Sequence, residues 1–260
     1  MTRDISKVVR EVCLSFPESE EVLSHGSPNF RVRGKTFATY AINHHGDGRI
    51  ALWLNSPDGA QQHYTQAEPD HYFVPPYVGP RGWLGVLLDK GASWDRIAAL
   101  VREAYEKVAP AVLSAAIGKA HAVAPPTTTL PATVVDPLKS RRAQAVLKGM
   151  RKVCLGLPET SEDLQFGVPV WRAGKKTFAS IYYDQQRLTL AFWVGVERQA
   201  MMTREERFRI PAYLGHNGWI ALDVTDECEW DEVYELARNS YRHFALKRML
   251  AALPASLRGA

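Results

Sequence analysis

Two basic clusters, at matching places in the two halves of the chain, carry the residue types best suited to binding chemistry. Arg31 and Lys35 flank an Arg33-Gly34 turn, and Arg172, Lys175 and Lys176 surround its counterpart. Basic side chains on neighbouring strands, one short turn apart, grip a phosphate or carboxylate through charge-assisted hydrogen bonds. The competing reading is that strand-edge lysines block edge pairing and keep the chain soluble. A second cluster is the loop Pro75-Pro76-Tyr77-Val78-Gly79-Pro80-Arg81-Gly82-Trp83, matched by Pro211-Ala212-Tyr213-Leu214-Gly215-His216-Asn217-Gly218-Trp219. Its glycines suit a sharp turn or a close backbone approach by a ligand. Its aromatics suit base stacking beside Arg81, or simple core packing. Asn217 is the weakened counterpart of Arg81.

A third set is the carboxylates Glu18 and Glu21, with Glu159 and Glu162 at the same spacing. Pairs of this kind serve acid–base or metal chemistry in some sites, and pair with nearby Lys or Arg in most. No HxxxH, DxD, CxxC, P-loop, GxGxxG or nucleophilic triad accompanies them. The expectation is therefore a non-enzymatic chain with no metal and no cofactor. His44-His45 has no counterpart in the second half and is read as a loop pair outside any ligand site.

The positions that must carry these groups belong to an internal duplication. Over residues 10 to 40, 15 of 31 positions are identical to those 141 residues later. Trp53, Trp83 and Trp94 recur as Trp193, Trp219 and Trp230, with the offset falling to 140 and then 136. A period this long exceeds the roughly 20–50 residues of a solenoid repeat and means two homologous domains. Each copy opens with an amphipathic helix: Ile5, Val8, Val9, Val12 and Cys13 recur as Val146, Leu147, Met150, Val153 and Cys154. Three strands follow (29–32, 35–42 and 49–54), then a polar, partly helical stretch, two strands (71–74 and 83–88) and a closing helix from Trp94. The fold class read from this order is α+β: two tandem two-layer α/β domains, each α-β(3)-α-β(2)-α, with an antiparallel sheet packed on helices. The domains span 1–117 and 141–254, and 118–140 is a Pro/Thr/Ala-rich, semi-rigid linker. An aromatic pocket is expected from Phe37, Trp53, Tyr77 and Trp83, and from Phe178, Trp193, Tyr213 and Trp219.

The net charge of +4 lies entirely in the second copy, where residues 141–260 hold 18 basic and 14 acidic side chains. The second copy is therefore expected to bind an anion more tightly. The three cysteines form no CxxC and two of them match between copies, which points to reduced thiols in the cytoplasm. No apolar run reaches the roughly 20 residues of a membrane span.

The motif order resembles the MmcQ/YjbR family. The resembling residues are Pro17-Glu18, Gly26-x-Pro28-x-Phe30, Lys35-Thr36-Phe37, Pro76-Tyr77, Trp83, and Trp94-Asp95 with Tyr105. The second copy repeats them as Pro158-Glu159, Gly167-x-Pro169-x-Trp171, Lys176-Thr177-Phe178, Tyr213, Trp219, and Trp230-Asp231 with Tyr241. The resemblance implies a fold comparable to type III secretion chaperones or frataxin (CyaY), and DNA binding. Many members carry a basic, His- and Lys-containing loop before the tryptophan, which this chain lacks. Two readings stay open: a DNA-binding protein contacting phosphates through strand-edge Lys and Arg, or a module that takes a small ligand or protein in an aromatic pocket. Either would be a monomer acting as an intramolecular pseudo-dimer.

Overall fold

A computed structural model describes residues 3–118, 123–212 and 214–254. The chain divides into two compact units, Met1–Val135 and Asp136–Ala260. The first contains α1 (Ile5–Cys13), β1 (Ser19–Ser24), β2 (Ser27–Val32), β3 (Lys35–Ile42), β4 (Ile50–Leu54), α2 (Ala60–Ala67), β5 (Tyr72–Phe73), β6 (Leu84–Leu87), α3 (Trp94–Val108), α4 (Ala111–Ala115) and α5 (Ala132–Val135). The second contains α6 (Arg141–Cys154), β7 (Thr160–Gln165), β8 (Val168–Ala173), β9 (Lys176–Asp184), β10 (Arg187–Trp193), α7 (Val196–Met202), β11 (Phe208–Arg209), β12 (Trp219–Asp223), α8 (Trp230–Phe244) and α9 (Lys247–Ala251). Each unit has one antiparallel six-stranded sheet, ordered β1-β2-β3-β4-β6-β5 in the first and β7-β8-β9-β10-β12-β11 in the second. Both are α+β domains, as the sequence predicts.

The main core of each unit lies between the sheet and its first and last long helices. In the first unit, Ile5, Val8, Val9 and Val12 of α1 and Ile97, Val101 and Tyr105 of α3 meet Phe30, Tyr40, Ile50, Leu52 and Leu54 of the sheet. The alternation of β4 decides the faces: Ile50, Leu52 and Leu54 point to the helices, while Ala51 and Trp53 point away. Asp4 caps α1 by accepting from the Lys7 amide, and Ser140 caps α6 through Ala143. Ser93 stands at the N-cap of α3 but makes no side-chain cap bond.

The sequence pattern shows no strand before residue 29, whereas β1 and β7 are full strands paired along their length with β2 and β8. They are edge strands, so they lack the apolar alternation that marks a half-buried strand; Leu23 and Leu164 are both exposed. Glu21 and Glu162 tie them back to the first helix of each unit, accepting two guanidinium hydrogen bonds from Arg10 (2.8 and 2.9 Å) and from Arg151 (both 2.8 Å). Glu18 pairs with Arg33, and Glu159 with Arg248. All four carboxylates considered for chemistry are thus engaged by arginines at the surface.

The stretch read as a linker is structured in part. Thr127 exchanges backbone and side-chain hydrogen bonds with Arg3, Leu130 is buried in the first core, and α5 and a 3-10 turn at Pro137–Lys139 follow. The last long helix of each unit is fixed by one retained tyrosine: Tyr105 Oη donates to the Pro17 carbonyl at 2.7 Å, and Tyr241 Oη to Pro158 at 2.8 Å. Removing either hydroxyl leaves a part-buried carbonyl without its donor. Tyr105→Phe and Tyr241→Phe should each cost about 1–2 kcal/mol, read as a lower urea midpoint with the transition slope unchanged.

Candidate anion-binding groove

One residue decides which side chains reach the open face of each sheet. In the β2–β3 pair, Phe30 faces Ala38 but Arg31 faces Thr36, so Phe37 is an extra, bulged residue. Phe178 occupies the same bulge between β8 and β9. A bulge shifts the side-chain alternation by one place. Phe37, Ala38 and Tyr40 therefore enter the helix-facing core, while Thr36 and Thr39 both reach the opposite face. There they form cross-strand pairs: Arg31 Nε donates to Thr36 Oγ1 at 3.1 Å, and Thr39 Oγ1 donates to Asn29 Oδ1 at 2.5 Å.

These pairs form the floor of an open groove of about 580 Å³, lined also by Ser24, Lys35, Asn55, Val78, Arg81, Trp83 and Val108. The structure thus brings together three of the basic residues singled out by sequence, Arg31, Lys35 and Arg81. No carboxylate lines the groove, and none of the three cations forms an ion pair among the described residues. Lys35 and Arg81 are exposed and Arg31 is half-buried. Hydroxyl, amide and guanidinium donors converging without a counter-charge are chemically suited to an anion.

The Arg81 loop is braced by a residue that the sequence reading missed. Gln61 of α2 donates through Nε2 to the carbonyls of Gly79 (2.8 Å) and Trp83 (2.6 Å), and Gln199 of α7 repeats both bonds to Gly215 and Trp219. Gly82 and Gly218 take a left-handed φ of 81°, which glycine adopts at little cost.

The second unit keeps the frame and loses the groove chemistry. Arg172 is paired with Asp163 at 3.3 Å, and its guanidinium also donates to Gln165 Oε1 and the Lys175 carbonyl. Asn29, Thr39, Asn55, Arg81 and Val108 are replaced by Val170, Ser180, Gly195, Asn217 and Phe244. Val194 N and Gly195 N both donate to the Gly218 carbonyl, and Trp193 Nε1 donates to the Asn217 carbonyl, which draws the loop onto β10. Lys175 and Lys176 remain exposed. Excess positive charge in the second half therefore does not restore the cation cluster of the first unit's groove.

The aromatic residues expected to line a pocket do not come together as one set. Phe37 and Phe178 are fully buried on the helix-facing side, where the bulge puts them, against Tyr105 and Tyr241. Trp53 and Trp83 pack with Ala41, Ala51 and Leu87 in a small second core on the open face. Tyr77 is exposed and its hydroxyl lies 2.8 Å from His45 Nε2. In the second unit Trp193 stacks on His243 at 3.4 Å, and Trp219 lies near Phe244. Tyr213 lies outside the described residues. Only Trp83 reaches the groove. No group of three or more His, Cys, Asp or Glu side chains suited to a metal occurs among the described residues.

The YjbR family model matches residues 14–107 and 155–243, about 70% of the chain, and the protein belongs to that family as a tandem pair. Among solved structures it is similar to Deinococcus radiodurans protein DR2400, with family-model domain DUF419. That likeness has 21% identity and a TM-score of 0.34, covering 43% of this chain and 84% of the other. The comparison with curated proteins gave no match. No helix among the described residues is long and apolar enough to cross a membrane.

Two outcomes follow from the groove's supports. Gln61→Ala strips two loop carbonyls of their donor and should cost the first unit about 1–3 kcal/mol, measured by urea unfolding. His44 packs edge-on against Trp53 at 4.7 Å, and burial, reinforced by His45 and opposed by Asp47, holds its pKa below 6.5. Its neutral form is favoured by folding, so that contribution is present above the unfolded value and is lost as pH falls through the folded one. The urea midpoint of the first unit should fall as pH is lowered below the unperturbed histidine value of 6.5, and His44→Phe should flatten that fall.

Proposed function

We propose that this protein is a non-enzymatic binder of phosphate-bearing ligands, acting in the cytoplasm, and that the groove of its first unit is the binding site. The observation that carries this reading is the convergence of Arg31, Lys35 and Arg81 on one carboxylate-free groove with Asn29, Thr36 and Thr39. DNA is the ligand favoured by the family resemblance, and the backbone phosphate is the part of DNA that this donor set suits. The sequence carries no recognition-helix motif, and the aromatic next to the groove, Trp83, is largely buried, so base readout is not expected. The expected mode is therefore sequence-tolerant contact through one to three phosphates.

A second reading, a compact phosphorylated small molecule, is favoured by one observation. The unneutralised groove occurs in only one of the two copies, and its volume of about 580 Å³ falls within the roughly 300–1,000 Å³ of small-ligand sites.

Binding of a labelled random-sequence duplex across a salt series separates the outcomes. Micromolar affinity with a log–log salt slope of about −1 to −3 is expected, with loss in the Arg31→Ala/Lys35→Ala/Arg81→Ala triple variant and little change in Lys175→Ala/Lys176→Ala. Absence of duplex binding at low salt, together with saturable binding of a mononucleotide that the triple variant loses, would assign the groove to a small phosphate ligand. Duplex binding that only the Lys175/Lys176 variant loses would contradict the proposed site.

A further inference from the structure

The two units differ in one more place, on the outer surface formed by their first and last long helices. In the second unit α6 and the start of α8 enclose an open, mainly apolar groove of about 750 Å³, lined by Ala145, Lys148, Gly149, Lys152, Trp230 and Tyr234 among others. The outer edge of the Trp230 ring lies against Gly149 of α6, where a Cβ would meet it at 1.9 Å. It is 38% exposed, whereas its counterpart Trp94 in the first unit is 8% exposed.

The first unit shows what belongs on this surface. The positions matching Ala145 and Lys152 are Asp4 and Glu11. Asp4 forms a parallel β-bridge with Thr128. Glu11 accepts a hydrogen bond from Arg3, whose guanidinium also donates to the Ala124 carbonyl at 2.9 Å. Thr127 N donates to Arg3 O at 2.7 Å. The core that buries Trp94 also takes in Val123 and Leu130. An extended, proline-containing segment, 123–131, thus runs beside the helix pair of the first unit, anchored by an apolar residue and by main-chain bonds. Within the described residues of the second unit, no segment takes that place.

The charge at the groove is altered to match. Glu11, which receives the Arg3 guanidinium in the first unit, is replaced by Lys152, and Lys148 lies one turn before it on the same face. Both lysines are exposed and neither forms an ion pair among the described residues. In the first unit Arg3 bridges Glu11 and the segment's Ala124 carbonyl. With Lys148 and Lys152 here and no such bridge among the described residues, the groove favours an occupant that brings its own carboxylate. We infer that the α6–α8 groove is a docking site for an extended peptide segment of a partner protein, apolar at its anchor residue and acidic beside it. The mode is that of segment 123–131, which is uncharged, with carboxylates added beside Lys148 and Lys152.

The test uses the full chain and a fluorescein-labelled synthetic peptide with the sequence of residues 123–131 carrying Thr127→Glu and Thr129→Glu, followed by anisotropy. Saturable binding is expected. It should weaken at least tenfold in Lys148→Glu/Lys152→Glu and be unchanged in Arg31→Ala/Lys35→Ala/Arg81→Ala, so the result is separable from anion binding in the first unit. Exposed lysines are replaced, so the fold should be retained, and Tyr234→Ala gives a second, uncharged probe of the same groove. No saturation up to millimolar protein, or equal binding by the lysine double variant, would overturn the inference. A tenfold gain on removing residues 255–260 would assign the groove to the chain's own terminus and overturn the partner reading.

Discussion

The residue inserted at Phe37, and again at Phe178, is the constraint on which the open face of the sheet, and the binding proposed for it, depends. A strand that alternated regularly would send Thr36, Ala38 and Tyr40 to one side of the sheet. The bulge instead turns Thr36 and Thr39 to the open face and places Phe37 against Tyr105 in the main core. The displaced Phe37 carbonyl is satisfied by the Asn55 amide at 2.9 Å, so the irregularity leaves no buried acceptor unpaired. In the second unit the matching carbonyl is held by Ser240 Oγ at 2.5 Å, which in turn accepts from Trp193 N. The bulge is therefore common to both units while its supports differ, and the groove chemistry differs with them.

That divergence follows from a few substitutions around one frame. With Val22 replaced by Asp163, a carboxylate appears next to the retained arginine and neutralises it. With Asn55 and Arg81 replaced by Gly195 and Asn217, the loop closes onto β10 and loses its cation. Phe244, in place of Val108, brings a ring beside Trp219. None of these changes disturbs the core, whose retained residues Phe178, Tyr241 and Cys154 stay fully buried. A duplicated domain in this state presents one unneutralised cation cluster and one matching surface that is internally satisfied, and global charge does not reveal which is which.

The sequence disclosed much of this through patterns with a physical cause. Helices α1 and α3 were legible because their apolar residues recur at helical spacing, and β4 because both of its faces are buried. The family was legible because the same residues recur in both copies. Arg31 and Lys35 were legible as neighbours because one short turn separates them, whereas Arg81's place beside them was not, since it lies in a separate loop whose return is fixed only by the fold. Strands β1 and β7 were not legible: they are edge strands with no fully buried residue, and their polar and charged side chains leave no apolar alternation to read. The bulge was hidden because Phe37 and Ala38 are both apolar, so a one-place slip leaves no mark on the hydrophobic pattern. Asp163 and Gln61 were missed for a related reason, since each acts on a partner fixed only by strand register or loop return.

Residue-resolved NMR of the labelled full chain, titrated with inorganic phosphate, tests the central claim most directly. The account predicts amide shifts at Asn29, Arg31, Thr36, Thr39 and Arg81, and no comparable shifts at Arg172, Thr177 or Ser180. Equal shifts in the two units, or shifts confined to the second, would contradict it.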